Sequence, residues 1–262
     1  MISSLASHLL VTADDGSGRG AVYSGAVTAQ PVKDAIVWID CEMTGLDLTR
    51  DALIEVAVVV TDSELQPVDA GLDLVIAPPP GAVEQMVDVV REMHTTSGLL
   101  EELDSGLSLE EAQRRVLEYV RRWVPEERKA PLAGNSVGTD RAFLERDMPE
   151  LVAHLHYRII DVSSIKELAR RWYPRAYFHS PAKQGGHRAL ADILESIDEL
   201  RYYRAALWPQ GEGPDTATVK AAAEAVQATS TALTIARLAA EGSAASTPEG
   251  STSEGETRIT AS

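Results

Sequence analysis

Residues 35–40, Ala-Ile-Val-Trp-Ile-Asp, form a near-continuous apolar run that ends in a carboxylate and leads into a Thr-Gly turn. Such a run predicts a strand buried on both faces. Two further strand-like runs follow, LIEVAVVVT at 53–61 and LDLVIA at 72–77, with turn residues at 62–66 and Pro78-Pro-Pro-Gly81 after the second. Three strands joined by short turns predict an antiparallel meander. The period then lengthens: Leu109, Ala112, Val116, Tyr119, Val120 and Trp123 share one helix face, with Ser108 as N-cap, Glu111 three residues on and Pro125 past the end. Short strands are expected at 131–135 and 158–161, with a helix carrying Asp140, Phe143 and Leu144 between them. A capping box, Ser164-Ile-Lys-Glu167, predicts a helix to about Trp172, and a last amphipathic helix is expected from about Gly186 to Leu207. Strands first, then alternating helix and strand, predict an α/β or α+β domain with a mixed sheet. No internal repeat is visible.

The two ends of the chain differ from this middle. Residues 1–33 are rich in Ser, Gly and Ala, carry GSGRG at 16–20, and read as a mobile extension or a misassigned start. The expected domain is 34–209. From 210 to 262 there are 13 Ala, 15 Ser or Thr and no aromatic; a helix is expected over 215–241, with the last twenty residues unstructured. A single cysteine, Cys41, excludes an intramolecular disulfide and a thiolate zinc site, which makes the cytoplasm the expected compartment. No stretch reaches the roughly 20 apolar residues of a membrane span. The opening MISSLASHLL lacks a basic flank, so neither an export signal nor an anchor is expected.

Charge narrows the partners. The 262 residues hold 40 acidic and 24 basic side chains, a net charge of -16, which argues against nonspecific binding of long duplex DNA. The imbalance is uneven, with 8 basic and 21 acidic residues over 34–139, but 7 basic and 2 acidic over 158–188. The basic stretch reads either as solvated helix faces or as a contact for substrate phosphate.

Asp40 and Glu42 project from one face of the first strand while Cys41 points to the other. Two neighbouring acids on a buried strand repel each other and lose hydration, which is costly unless a cation neutralises them. A hard divalent ion needs more oxygen ligands. Asp140, at the start of a helix after Gly134-Asn-Ser-Val-Gly138, either stabilises that helix end or supplies such a ligand. His187 and Asp192 lie five apart at the expected start of the last helix, where they can flank one site approached from its end. Asp40, Glu42, Asp140, Asp192 and His187 together make a coherent set for two-metal phosphodiester hydrolysis, with Mg²⁺ or Mn²⁺ clamping the reacting oxygens. A neutral imidazole suits the general base that takes a proton from the attacking water.

These residues fall within longer motifs: WIDCEMTGLD at 38–47, HTTSGL at 94–99, AGNSVGTDRAFL at 133–144, MPEL at 148–151, HYRIIDVSSIKELARRW at 156–172 and KQGGHRALADI at 183–193. Over essentially all of 34–208 the chain resembles the oligoribonucleases of the DEDDh 3′→5′ exonuclease family. The resemblance implies a ribonuclease-H-like mixed five-stranded sheet flanked by helices, and a homodimer that degrades very short single-stranded RNA, chiefly 5′-phosphorylated dinucleotides, from the 3′ end. It implies that Asp40, Glu42, Asp140 and Asp192 hold two divalent cations and that His187 is the catalytic base. Ser136, Arg158 and Ser163 resemble the group that caps the 5′ phosphate, Leu46 the apolar wedge between bases, His94 a substrate contact and Tyr157 a residue reaching across the dimer. A helix opening at Ser163 and the donor fork of Arg158 suit a phosphate. Where the resemblance calls for an aromatic stacking residue before HTTSGL, the chain has Val89 and Val90. Two other readings share these motifs: a DNA exonuclease of the same superfamily, and a noncatalytic binder of short nucleotides.

Overall fold

The computed structural model describes residues 30–182, 186–209 and 211–244. Its first three strands, β1 (Ile36–Met43), β2 (Leu53–Thr61) and β3 (Leu72–Val75), pair antiparallel as the expected meander. β4 (Pro131–Gly134) and β5 (His156–Asp161) add to the other side of β1 in parallel, giving a five-stranded mixed sheet in the order β3-β2-β1-β4-β5. The helices are α1 (Asp88–Thr96), α2 (Leu99–Glu102), α3 (Leu109–Trp123), α4 (Gly138–Asp147), α5 (Pro149–His154), α6 (Val162–Trp172), α7 (Pro174–Phe178), α8 (Ala189–Leu207), α9 (Thr216–Ala228) and α10 (Thr231–Ala244).

Both faces of the sheet are covered, which explains why β1 and β2 read as unbroken apolar runs rather than alternating ones. On one face Val37, Ile39 and Cys41 of β1 pack with Val56, Val58 and Val60 against Ala112, Val116 and Val120 of α3 and Leu151 of α5. On the other, Trp38, Ala57, Val59 and Ala133 pack against Ala169 of α6 and Ile193, Ile197 and Tyr203 of α8. Trp38 has its indole N–H on Thr61 Oγ1 at 3.0 Å, so the largest core residue leaves no polar atom unpaired. Because β1, β4 and β5 run parallel, their carboxyl ends open on the same edge of the sheet, the edge where α/β proteins receive ligands.

Several boundaries differ from expectation. Ser108 does cap α3, accepting the Glu111 N–H at 3.2 Å. Ser164 does not open α6, however; Asp161 is the N-cap, accepting Ser163 N–H at 2.9 Å and Ser164 Oγ–H at 3.2 Å, so the helix begins before the capping box. The last helix of the domain starts at Ala189 instead of Gly186, leaving His187 in a left-handed backbone conformation, φ 46°, before the helix begins. Helical spacing between His187 and Asp192 therefore does not apply. The expected tail helix is two, α9 and α10, interrupted at Thr229-Ser230, and every residue of α9 is exposed. α1, α2, α5 and α7 arise where the pattern predicts no element. Residues 1–29 of the expected N-terminal extension and 245–262 of the tail lie outside the described residues, as do Lys183, Gln184 and Gly185. No helix among the described residues is long and apolar enough to cross a membrane.

Candidate active site

Three acids meet at the carboxyl end of β1. Asp40 and Glu42, two apart on the strand, share a side with Asp192 from the first turn of α8, and their carboxylate oxygens all lie within 4.8 Å of one another. Glu42 is buried, while Asp40 and Asp192 are half-buried. Burial, followed by the charges of Glu55, Asp192 and Asp140, pushes the Glu42 carboxyl up to about 8. A group of acids so close together and so poorly hydrated fits a hard divalent cation, which takes oxygen ligands and supplies the missing positive charge.

Asp140 stands beside this group without joining it. It is buried in the first turn of α4, and its Oδ1 accepts the Cys41 backbone N–H at 3.0 Å, tying α4 to β1 between the two strand acids. Burial raises its carboxyl to about 6, although the Cys41 bond works in the opposite direction. Asp140 thus anchors the helix to the strand, and its charge acts on Glu42. The Cys41 thiol itself is pushed well above its ordinary range by burial and then by Asp140, Asp40 and Glu42, which leaves it inert.

His187 is exposed next to the helix that carries Asp192. His94 is fully buried: its Nε2 lies 2.9 Å from Met43 O and its Nδ1 4.0 Å from Glu42 Oε2, with no hydrogen-bond partner for Nδ1. Burial lowers its pKa and the charge of His187 adds to this, which marks His94 as a neutral ring in the wall behind Glu42. Val90 packs with Ile54 in a small cluster, and Val89 is exposed on α1.

Leu46 projects from the loop after β1, four residues beyond Glu42, and is 74% exposed. Its loop is rigidly framed. Asp51 Oδ2 accepts Asp47 N–H at 2.9 Å, Thr44 and Ala52 exchange hydrogen bonds, and Arg146 of α4 reaches the Leu48 carbonyl. A side chain at Gly45 would place its Cβ 2.2 Å from Asp51 Oδ2, so only glycine fits there.

At the carboxyl ends of β4 and β5 lies a polar network. Ser136 Oγ and Ser163 Oγ are 3.1 Å apart, and Ser163 donates to Asn135 Oδ1 at 3.1 Å. Asn135 donates in turn to Ser196 Oγ at 2.8 Å and Glu199 Oε2 at 3.1 Å, while Lys166 pairs with Glu199 Oε1 at 2.9 Å. Ser196 closes the path by donating to the Asp192 carbonyl at 2.8 Å, so the serine pair and the acid group are joined through α8. Asp161 Oδ1 accepts the backbone N–H of both Ser136 and Ser163, so these two amides are already used, contrary to the expected free helix N–H groups. Any anion at the pair would meet hydroxyls instead.

The basic stretch is mostly neutralised within the protein. Lys166 pairs with Glu199, Arg170 and Arg171 with Glu167, and Arg188 with Glu55 and Glu102. Arg158 has no ion-pair partner among the described residues; its Nε donates to the Tyr157 hydroxyl at 3.0 Å, and its guanidinium lies over that ring at 5.4 Å. Tyr157 itself is 69% exposed on β5, one of the two edge strands of the sheet.

Comparison with known proteins adds an independent line. The family described as Exonuclease, of the RNase T type, matches residues 37–200. A Streptomyces coelicolor protein named oligoribonuclease is 66% identical over 192 residues, a match covering 73% of this chain and 96% of that relative. A protein of the same name from Leifsonia xyli is 60% identical over 193 residues, covering 74% of this chain and 93% of the relative. The chain belongs to the oligoribonuclease family. Among solved structures, an exonuclease I from Methylocaldum szegediense superposes with a TM-score of 0.51 at 21% identity, covering 66% of this chain and 41% of the longer protein. That likeness confirms an exonuclease fold for this oligoribonuclease family member.

Residues that the motifs did not single out also shape the site: Glu55, Glu102 and Arg188 around α8, Asn135 and Glu199 behind the serines, and Asp51 and Arg146 beneath Leu46. Glu55 carried a signal, as the one charge inside the nine-residue run LIEVAVVVT, and it is 0% exposed.

Proposed function

We propose that the chain is a metal-dependent 3′→5′ exoribonuclease that takes very short single-stranded oligoribonucleotides, chiefly 5′-phosphorylated dinucleotides, to mononucleoside 5′-phosphates. The observation that carries the reading is the crowding of the Asp40, Glu42 and Asp192 oxygens within 4.8 Å beside the serine pair and the exposed His187. The active unit is the domain 34–209. Asp40, Glu42, Asp140 and Asp192 hold two divalent cations, Mg²⁺ or Mn²⁺, which supply Lewis-acid charge for the attacking and leaving oxygens.

The chain's own groups do the rest. A ring nitrogen of His187 takes the proton of the attacking water. The new bond forms between that water oxygen and the last phosphorus, and the bond from this phosphorus to the 3′ oxygen of the preceding nucleotide breaks. One mononucleotide leaves with its 5′ phosphate, and the departing 3′ oxygen takes a proton from solvent to become the 3′ hydroxyl of the preceding residue. His94, neutral and buried, stands behind Glu42 with its Nδ1 4.0 Å from the Glu42 carboxylate. Leu46 offers an apolar surface to a base, and Ser136, Ser163 and Arg158 receive the 5′ phosphate through hydroxyls and a guanidinium fork. For that, Arg158 must leave its present contact with Tyr157. Exposure of Tyr157 on an unpaired edge strand supports a homodimer in which this residue reaches the partner's site.

The test is a time course on 5′-labelled RNAs of two, three, five and seven nucleotides and on long single-stranded DNA, with Mn²⁺ and then with excess chelator. Fast, chelator-sensitive loss of the dinucleotide is expected. If long DNA or the longer RNAs are degraded and the dinucleotide persists, the 5′-phosphate reading is wrong.

A further inference from the structure

Helix α8 carries Asp192, yet its own N-cap residue, Arg188, makes no side-chain cap. The cap comes from another element. Glu55, in the middle of β2 and wholly buried, accepts the Ala189 backbone N–H on Oε2 at 3.0 Å and Arg188 Nε–H on Oε1 at 2.7 Å. The remaining guanidinium N–H groups of Arg188 reach the other way, to Glu102 at the end of α2, with Nη1 on Oε1 at 2.7 Å and Nη2 on Oε2 at 3.2 Å. The Arg188 carbonyl accepts Asp192 N–H at 3.1 Å. Arg188 is therefore held on both sides by charge-assisted bonds and is built into the first turn of α8.

The residue directly before it is His187, in a left-handed conformation at φ 46°. For a residue with a side chain this costs about 1–2 kcal/mol and persists only where the surroundings impose it. From these contacts we infer that Glu55, Arg188 and Glu102 form a clamp that seats His187, so that all three are positioning residues for the general base. The inference rests on the reading of His187 as that base. The clamp also explains why a fully buried glutamate is tolerated in β2, since each of its oxygens has a donor.

The experiment is a double-mutant cycle on the full chain, following kcat and KM for a 5′-phosphorylated RNA dinucleotide together with Mn²⁺ affinity. Arg188→Ala is expected to lower kcat by about 100-fold, the effect of misplacing a reacting group by roughly 1 Å, with KM and Mn²⁺ affinity within about twofold. In a His187→Ala background the same change should cost less than about threefold, because the group being positioned is already gone. Glu102→Ala removes the exposed partner without emptying a core site and should lower kcat by about 5-fold with an unchanged melting midpoint. It carries the test if Arg188→Ala does not fold. Costs that simply multiply in the cycle, or a kcat unchanged in Glu102→Ala, would overturn the clamp while leaving His187 as the base. Full activity of His187→Ala would overturn the base reading, and the clamp with it.

Discussion

The two faces of β1 are built from the same short stretch of chain and have opposite physical characters. Val37, Ile39 and Cys41 point into an apolar layer closed by α3 and α5, where every contact lowers the free energy of the folded state. Trp38 begins the other face in the same way, but Asp40 and Glu42 finish it with charges that burial and mutual repulsion make unfavourable. A surface acid shows the contrast. Glu111 on α3 accepts bonds from Arg114 and Arg115, which hold its carboxyl well below the ordinary range. The difference teaches where stability has been given up: one strand supplies the core on one side and a crowded group of acids on the other.

The sharpest way to break the comparison is to remove charge from the second face. Asp40→Asn should lower kcat by more than about 100-fold in Mn²⁺, as expected when a group that stabilises transition-state charge is lost. The thermal midpoint should stay level or rise, because a crowded charge has gone. A fall in stability as large as that of a core mutation would show that the acids are structural.

The reciprocal change is Ile39→Ala on the first face. Ile39 is completely buried, so its truncation should cost roughly 2–5 kcal/mol in urea unfolding. At low temperature, where the variant remains folded, kcat should stay within about twofold of the parent, since no site acid is altered. A kcat lowered as far as in Asp40→Asn would mean that the two faces are not separable.

The smallest effect is a slope. The folded Glu42 carboxyl titrates at about 8 against an ordinary 4.5, so across that window the folded state binds the proton more tightly than the unfolded one. Its contribution to stability is therefore largest below about pH 4.5 and declines as pH rises through about 8. Asp140, raised to about 6 from 3.8, adds to the decline over its lower part. Melting midpoints measured in chelator from about pH 5 to about pH 8 should fall with this trend. Mn²⁺ should flatten it, because a bound cation favours the ionised carboxylates. A chelated protein whose stability rose over that range would contradict the burial of Glu42.

The apolar face was legible in the sequence because periodicity reports burial, and the meander and α3 follow from it. Asp40 and Glu42 were legible for the opposite reason, as charges that interrupt an apolar run. What stayed hidden was pairing at long range. Glu55 and Arg188 are 133 residues apart, and nothing local marks one as the cap of the other's helix. The start of α8 was misjudged for the same cause, since its cap comes from β2. Ser164 misled because Asp161, three residues earlier, caps the helix first, taking the Ser163 N–H and the Ser164 hydroxyl, so Ser164 already lies inside the first turn. The basic stretch around Arg158 left solvated helix faces and a phosphate contact both open, because counting charges does not reveal that Lys166, Arg170, Arg171 and Arg188 each have a carboxylate at hand.

The separation of 99 positions from Cys41 to Asp140, and the longer span from Glu55 to Arg188, also set an order of assembly. During synthesis β1 and β2 emerge first and can pair locally, while α8 is among the last parts of the domain to appear. A growing chain that ends short of Asp192 presents two strand acids and an empty place for the third. On the proposed assignment of Asp192 as a metal ligand, hydrolytic competence arrives only with α8, and RNA cleavage serves as a readout of a finished fold.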